Sequence, residues 1–269
     1  MTAEFRLESV GRAIGCIIHG PDLRQLTDYE SRAIRDALRQ HLVVFFRDQQ
    51  LTPNSLYDLA KKLGEPVPYP FFDGVDGVPE VVEIIKRPND KINFGGVWHS
   101  DTAYLEKPTM GALLYGEIIP EAGGDTLFAN MYAVLESLSP GLRTLLSGLR
   151  AINDADKDAI SQTRPNAIKK GLKATHPVIR THPETLRQLL YINRAHTTHF
   201  ENWSESESQS LLEVLCQRIE QPQFSCRFEW RPGSLAFWDN RACQHFPLND
   251  YDGHLRKMLR ISLAGDRPI

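Results

Sequence analysis

The sequence has little cysteine: four residues in 269 (Cys16, Cys216, Cys226, Cys243), none of them in a CxxC pair. Scattered thiols without redox or metal-ligand spacing read as reduced side chains of a cytoplasmic protein. Long apolar runs are also absent. No stretch approaches the ~20 consecutive apolar residues that cross a bilayer, so no membrane partner is expected. Basic residues are not in excess, with 31 Lys and Arg against 34 Asp and Glu and a formal charge of −3. That balance gives nucleic acid nothing to bind. Residues 1–8 lack the basic start and apolar stretch of a signal peptide. There is no GxGxxG, no phosphate loop and no HExxH. With no repeat, low-complexity tract or linker either, one domain over 1–269 is expected. A composition of 41% hydrophobic and 24% charged residues is that of an ordinary globular chain. Collagen-like, coiled-coil and disordered readings are excluded.

The patterns that are present alternate irregularly between helix and strand. Thr27-Asp-Tyr-Glu30 is a capping box that opens a helix to about Gln40. Leu42-Val-Val-Phe-Phe46 follows as an apolar run of strand length. Thr52-Pro53 starts a second helix that should stop before Gly64. Strands are expected over 81–86 and 110–118, and capped helices from Ser139 and Ser204. Residues 152–175 are polar, show no clear period, and read as a long excursion or lid. Strand signals crowd the end of the chain, at 224–230, 234–238 and 256–264. This order disfavours a doubly wound parallel sheet. A mainly β fold with helical insertions, a sandwich or jelly roll, is the better expectation.

Nine histidines provide the chemistry worth weighing. Three sit two residues before a carboxylate: His99-Ser-Asp101, His182-Pro-Glu184 and His199-Phe-Glu201. Side chains two apart on an extended backbone share a face, so such a pair can hold adjacent positions on one metal. Two His and one carboxylate leave three octahedral positions open, as non-haem Fe(II) oxygenases require. Each triplet is a weak signal alone. Pro183 puts the second in a turn, and the third precedes a polar helix start. The first follows Gly95-Gly-Val-Trp98, the approach to a constrained pocket. Arg256 and Arg260 are four apart on the last strand and share a face with Met258. They are either an exposed, ion-paired face or a site for a dicarboxylate, whose geometry guanidinium forks match.

Together these motifs make the sequence recognisable. It resembles the Fe(II)- and 2-oxoglutarate-dependent dioxygenases of the taurine and 2,4-dichlorophenoxyacetate dioxygenase family. The likeness runs from Gly20-Pro-Asp-Leu23 and Val44-Phe-Phe-Arg-Asp48 through Trp98-His-Ser-Asp101 and Gly123-Gly-Asp-Thr126 to Trp238-Asp-Asn-Arg241, His245 and Arg256. It implies a double-stranded β-helix, a jelly roll with helical insertions. It implies His99, Asp101 and His245 as iron ligands. Arg256 and Thr126 would hold the far carboxylate of 2-oxoglutarate, and Arg260 would lie near its inner carboxylate and an anionic group of the prime substrate. O2 is the further cosubstrate. The reaction implied is hydroxylation of a C–H bond in a small organic acid, coupled to conversion of 2-oxoglutarate to succinate and CO2. Where the carbon carries a sulfonate, ether or sulfate oxygen, bond cleavage would follow.

Some positions depart from the taurine enzymes. Gly95 replaces an Asn near the substrate and His196 a substrate-contacting Phe. Tyr69-Pro-Phe-Phe72, which contains Phe71, does not reproduce their sulfonate-binding His and Tyr. Gly95, His196, Phe71 and Arg260 are therefore the candidate substrate contacts, and taurine is not the expected substrate. Asp101, which related halogenating enzymes lack, implies oxygenation. Two other readings are a binding or sensing protein without turnover, and a zinc hydrolase. The second leaves the dicarboxylate clamp unexplained. Family members commonly form dimers or tetramers, so a homo-oligomer is expected.

Overall fold

The computed structural model describes residues 5–157, 162 and 170–269. Its helices begin where the sequence supplies a polar cap. α1 (Asp28–His41) carries the capping box: Glu30 N donates to Thr27 Oγ1, and Thr27 N donates back to Glu30 Oε2. α2 (Pro53–Leu63) is capped by Thr52, α3 (Met131–Glu136) by Asn130, α4 (Pro140–Ser147) by Ser139, and α5 (Glu205–Ile219) by a second capping box of Ser204 and Glu207. Each cap satisfies backbone N–H groups that have no partner inside the helix. α1 ends as Leu42 turns left-handed, at φ 65°, and passes straight into a strand.

The strands follow in chain order. The first half holds β1 (Arg6–Ser9), β2 (Cys16–His19), β3 (Val43–Phe46), β4 (Pro66–Val67), β5 (Val81–Lys86), β6 (Gly111–Ile118) and β7 (Thr126–Asn130). Next come β8 (Arg150–Asp154), β9 (Lys173–Pro177), β10 (Ile179–Thr181), β11 (Gln188–Leu190) and β12 (Thr197–Phe200). β13 (Ser225–Phe228), β14 (Leu235–Asp239), β15 (Cys243–Pro247) and β16 (Arg256–Leu263) close the set. The large sheet has the order β1-β2-β3-β14-β6-β16, with β16 also pairing with β4 and β5. Its pairs are antiparallel except β2–β3. A smaller antiparallel sheet has the order β13-β7-β15. The architecture is mainly β with packed helices, and among the described residues parallel pairing is confined to β2 and β3, which α1 connects.

Two apolar clusters explain why Val43–Phe46 reads as an unbroken apolar run. Val43 and Phe45 face inward, to a core shared with Phe128, Phe228 and Trp238 between the two sheets. Val44 and Phe46 face the opposite way, to Ile34 and Leu38 of α1 and Leu56 and Leu59 of α2. A strand buried on both faces shows no polar alternation. Phe45 stacks on Phe228 of the smaller sheet with ring centroids 3.9 Å apart. The same alternation on β16 sends Leu259, Ile261 and Leu263 toward the helices and Met258 into the inter-sheet core. Arg256 and Arg260 share Met258's inward side, and both are buried.

One expected segment divides differently. The ends of the 152–175 excursion belong to β8 and β9, which pair antiparallel from Arg150↔Pro177 to Asp154↔Lys173. These strands are half-exposed and polar (Arg-Ala-Ile-Asn-Asp and Lys-Ala-Thr-His-Pro), so neither shows a hydrophobic period. Residues 158–161 and 163–169, the middle of the expected lid, lie outside the described residues.

Candidate active site

The site is assembled across a single backbone bridge. His99 N donates to His245 O at 3.1 Å, and His245 N donates to His99 O at 2.8 Å. This narrow antiparallel pair brings together a loop residue and a residue of β15 that are far apart in sequence, with imidazole centroids 4.1 Å apart. Asp101 lies two residues on from His99. Its backbone N–H donates to Asn240 Oδ1 at 3.1 Å, and that oxygen also accepts from Trp238 Nε1 at 2.9 Å. Asn240 thereby fixes the backbone that carries the carboxylate. Asp101 Oδ1 is 3.7 Å from His99 Nε2 and 3.9 Å from His245 Nε2. One ligand atom from each residue lies within 4.8 Å of those of the others, and all three residues are buried.

Their protonation states suit a cation. His99 Nδ1 lies 2.6 Å from Val97 O, a contact that places the proton on Nδ1 and leaves the Nε2 lone pair facing the cluster. Burial pushes both imidazoles below their ordinary range, His245 well below it, so each is neutral at pH 7. Burial alone would raise the Asp101 carboxyl, but the adjacent Arg260 guanidinium outweighs it and holds the group ionised. Arg260 Nη2 is 2.7 Å from Asp101 Oδ1, while buried Asp101 Oδ2 has no hydrogen-bond partner among the described residues. Two neutral imidazoles and a carboxylate with an unused oxygen fit a divalent metal.

The cavity beside the cluster is lined by Gly95, His99, Thr126, His245, Arg256 and Arg260, with Ile84 and Leu114 among the apolar wall. Arg256 is 6% exposed, and its Nε and Nη2 have no hydrogen-bond partner among the described residues. A buried guanidinium with open donors is costly, so this wall suits an anion. Gly95 adopts φ +76°, and a Cβ there would meet His99 Cε1 at 3.0 Å. The glycine lets the chain pass close to that imidazole. His196 is buried, with its ring edge-on to His99 at 6.4 Å and to Tyr104 at 4.9 Å. Phe71 belongs to an adjoining aromatic cluster with Tyr69 and Tyr104. The Tyr69 ring lies 4.7 Å below the Arg260 guanidinium, so the cluster reaches the cavity through that stack.

The sequence profile of the taurine catabolism dioxygenase TauD, TfdA family matches residues 6–262. The chain belongs to this family. An alkylsulfatase of Acinetobacter baylyi is 32% identical over 98% of this chain and 86% of its own length. An alpha-ketoglutarate-dependent sulfate ester dioxygenase of Pseudomonas putida is 31% identical, over 99% and 91%. The crystal structure of a taurine dioxygenase from Burkholderia xenovorans superposes with a TM-score of 0.86 at 35% identity, covering 98% of this chain and 91% of that one.

Of the positions expected from the likeness to TauD and TfdA, His99, Asp101, His245, Thr126, Arg256, Arg260 and Gly95 meet around one cavity. The other two His-x-carboxylate pairs lie elsewhere. His182 Nε2 is 3.0 Å from Asp239 Oδ2 in a buried network with Arg241, and His199 contacts Thr198. Trp98 packs on Phe246 in the core, and Cys243 is a buried thiol whose pKa burial raises. No local pattern assigns the parts of Trp238-Asp-Asn-Arg241. Asn240 holds Asp101, while Asp239 joins Arg241 to His182. No helix among the described residues is long and apolar enough to cross a membrane.

Proposed function

We propose that this protein is an Fe(II)- and 2-oxoglutarate-dependent dioxygenase on a double-stranded β-helix, hydroxylating a C–H bond of a small anionic organic substrate. The observation that carries this reading is the meeting of His99, Asp101 and His245 with the buried donors of Arg256 and Thr126 in one cavity. His99, Asp101 and His245 would hold iron, and Arg256 with Thr126 the far carboxylate of 2-oxoglutarate. When bound, iron and 2-oxoglutarate supply the oxidising chemistry, in which O2 and 2-oxoglutarate become a substrate hydroxyl, succinate and CO2.

The chain contributes binding, orientation and exclusion of water. Arg256 pairs with the cosubstrate's tail, so that binding energy becomes alignment at the metal end. Arg260, already beside Asp101, presents its guanidinium to the cosubstrate's inner carboxylate or to the anionic head of the prime substrate. The aromatic cluster of Tyr69, Phe71 and Tyr104 supplies an apolar surface next to that head. Among the described residues Asp101 is the acid beside this cavity, and it would be committed to the metal and Arg260, leaving no described carboxylate for an ammonium group such as taurine carries. We therefore assign an apolar-bodied anion, with an alkyl sulfate as the leading substrate class. Hydroxylation at the carbon bearing the sulfate oxygen gives HO–CHR–OSO3⁻, which collapses to an aldehyde and hydrogen sulfate.

The test measures succinate, aldehyde and sulfate across alkyl sulfates, sulfonates, aryloxy acids and taurine, with Fe(II) and 2-oxoglutarate present. Equimolar succinate, aldehyde and sulfate from an alkyl sulfate is the expected result. Efficient turnover of taurine alone would overturn the substrate class. Absence of substrate-stimulated succinate across the panel would overturn the dioxygenase reading.

A further inference from the structure

Thr126 Oγ1 makes one hydrogen bond among the described residues, and in it the hydroxyl accepts: Trp230 Nε1 donates at 2.9 Å. Both residues are buried, Thr126 at 2% and Trp230 at 3% exposure. An indole N–H donates only, whereas a hydroxyl can either donate or accept. The Thr126 hydrogen therefore cannot serve Trp230. It remains available to the cavity, where the neighbouring Arg256 has Nε and Nη2 without a hydrogen-bond partner among the described residues. The Arg256 guanidinium lies 5.8 Å from the Trp230 ring centroid, so indole, hydroxyl and guanidinium form one cluster.

We propose that Trp230 is a positioning residue that sets the polarity of Thr126. By donating to the hydroxyl oxygen, it holds one orientation of Thr126, with the hydrogen turned to the cavity beside Arg256. The wall then presents donors alone to a group that only accepts, the far carboxylate of 2-oxoglutarate. Without the indole, the hydroxyl is free to rotate and accept from Arg256. The two would then satisfy each other and weaken the socket for the anion. The inference rests on the assignment of Thr126 and Arg256 to that carboxylate. Trp230 acts through Thr126 and does not touch the cosubstrate.

The experiment is a double-mutant cycle read by calorimetric 2-oxoglutarate binding to the Zn(II)-loaded protein, which binds without turnover. Trp230→Phe removes the N–H and keeps an aromatic ring against Phe228. It should weaken 2-oxoglutarate binding about three- to tenfold, the value of one hydrogen bond. Thr126→Val should weaken it at least as much, and adding Trp230→Phe to Thr126→Val should cost nothing further. Prime-substrate and Zn(II) affinities should not move. Equal losses from Trp230→Phe in both backgrounds would show a packing role and overturn the proposal, leaving Thr126 as a cosubstrate ligand. Wild-type affinity in Thr126→Val would overturn that assignment as well. A second readout needs no Trp230 variant. In 15N-tryptophan-labelled protein, the indole resonance displaced by Thr126→Val should also shift when 2-oxoglutarate is added to the wild type. An unmoved resonance would overturn the proposal.

Discussion

Replacing Arg256 with Met should move stability and binding in opposite directions. In the ligand-free protein the guanidinium is 6% exposed, with two N–H groups unpartnered among the described residues. Burial pushes its pKa below the ordinary arginine value, with Tyr251 and Asp125 offsetting only part of the cost. Met258 and Ile84 nearby already supply an apolar environment. Replacing a buried, incompletely paired charge by an apolar chain of similar length is neutral or stabilising by about 1–4 kcal/mol. Arg256→Met should therefore leave the apo protein as stable as the wild type or more so, measured by urea unfolding. Binding should respond the other way. The variant would leave the cosubstrate carboxylate buried against a wall without its cation, a penalty of about 3–5 kcal/mol, or more than about 100-fold in affinity. Anaerobic titration of the Fe(II) protein with 2-oxoglutarate, read by its visible charge-transfer band, measures that loss. A thermal shift induced by 2-oxoglutarate should disappear in parallel. The reasoning fails if Arg256→Met unfolds more readily than wild type while binding 2-oxoglutarate within threefold of it. Arg256 would then be a structural residue, and the open donors would need another explanation.

Three further outcomes follow from particular contacts. His99→Ala removes one of three ligand atoms, so the chain should no longer retain stoichiometric Fe(II) after anaerobic desalting, as metal analysis would show, while its circular dichroism stays that of the wild type. Asp239→Ala strips the buried Arg241 and His182 of their shared carboxylate. It should cost about 3–5 kcal/mol in urea unfolding, and a loss under 1 kcal/mol would show that Glu184 compensates through its own 2.6 Å contact with Arg241. His176 is 2% exposed, and burial lowers its pKa from 6.5 to about 4. The unfolded chain therefore binds the extra proton first, and the group withdraws stability as pH falls from about 6.5 to about 4, by at most about 3 kcal/mol. His176→Gln can retain the donor to Leu105 O and remove the titration, so its unfolding midpoint should fall less than the wild type's between pH 7 and pH 5.

Legibility in the sequence followed the range of the interaction. The helix starts at Thr27, Thr52, Ser139 and Ser204 were readable because the cap lies within three residues of what it caps, as with Thr27 and Glu30, while the short α3 after Asn130 was not. The His99 and Asp101 pair was readable because a His and a carboxylate two residues apart can reach one metal, here from a bridge residue and the turn after it. The Arg256 and Arg260 stripe was visible but open to two readings. What decides between them is whether that face of β16 is covered, and it is covered by a sheet whose strands lie more than a hundred residues earlier or just before it. Polar strands such as β8 and β9 escaped because half-exposed strands of polar sequence have no apolar alternation to read. The supporting contacts escaped for a different reason. Asn240 meets the Asp101 backbone across 139 residues, and Trp230 meets Thr126 across 104. Nothing local distinguishes a tryptophan that fills a core from one whose N–H constrains a hydroxyl. The difference lies wholly in which partner the sheet register supplies. β13 sets Phe228 opposite Thr126, and that register carries the indole two residues later to the Thr126 hydroxyl on the cavity wall. A shift of one residue would reverse every side chain on the strand and end the contact. The residues of the site were thus legible from their chemistry, while the forces that orient them are products of strand pairing, which the folded chain alone displays.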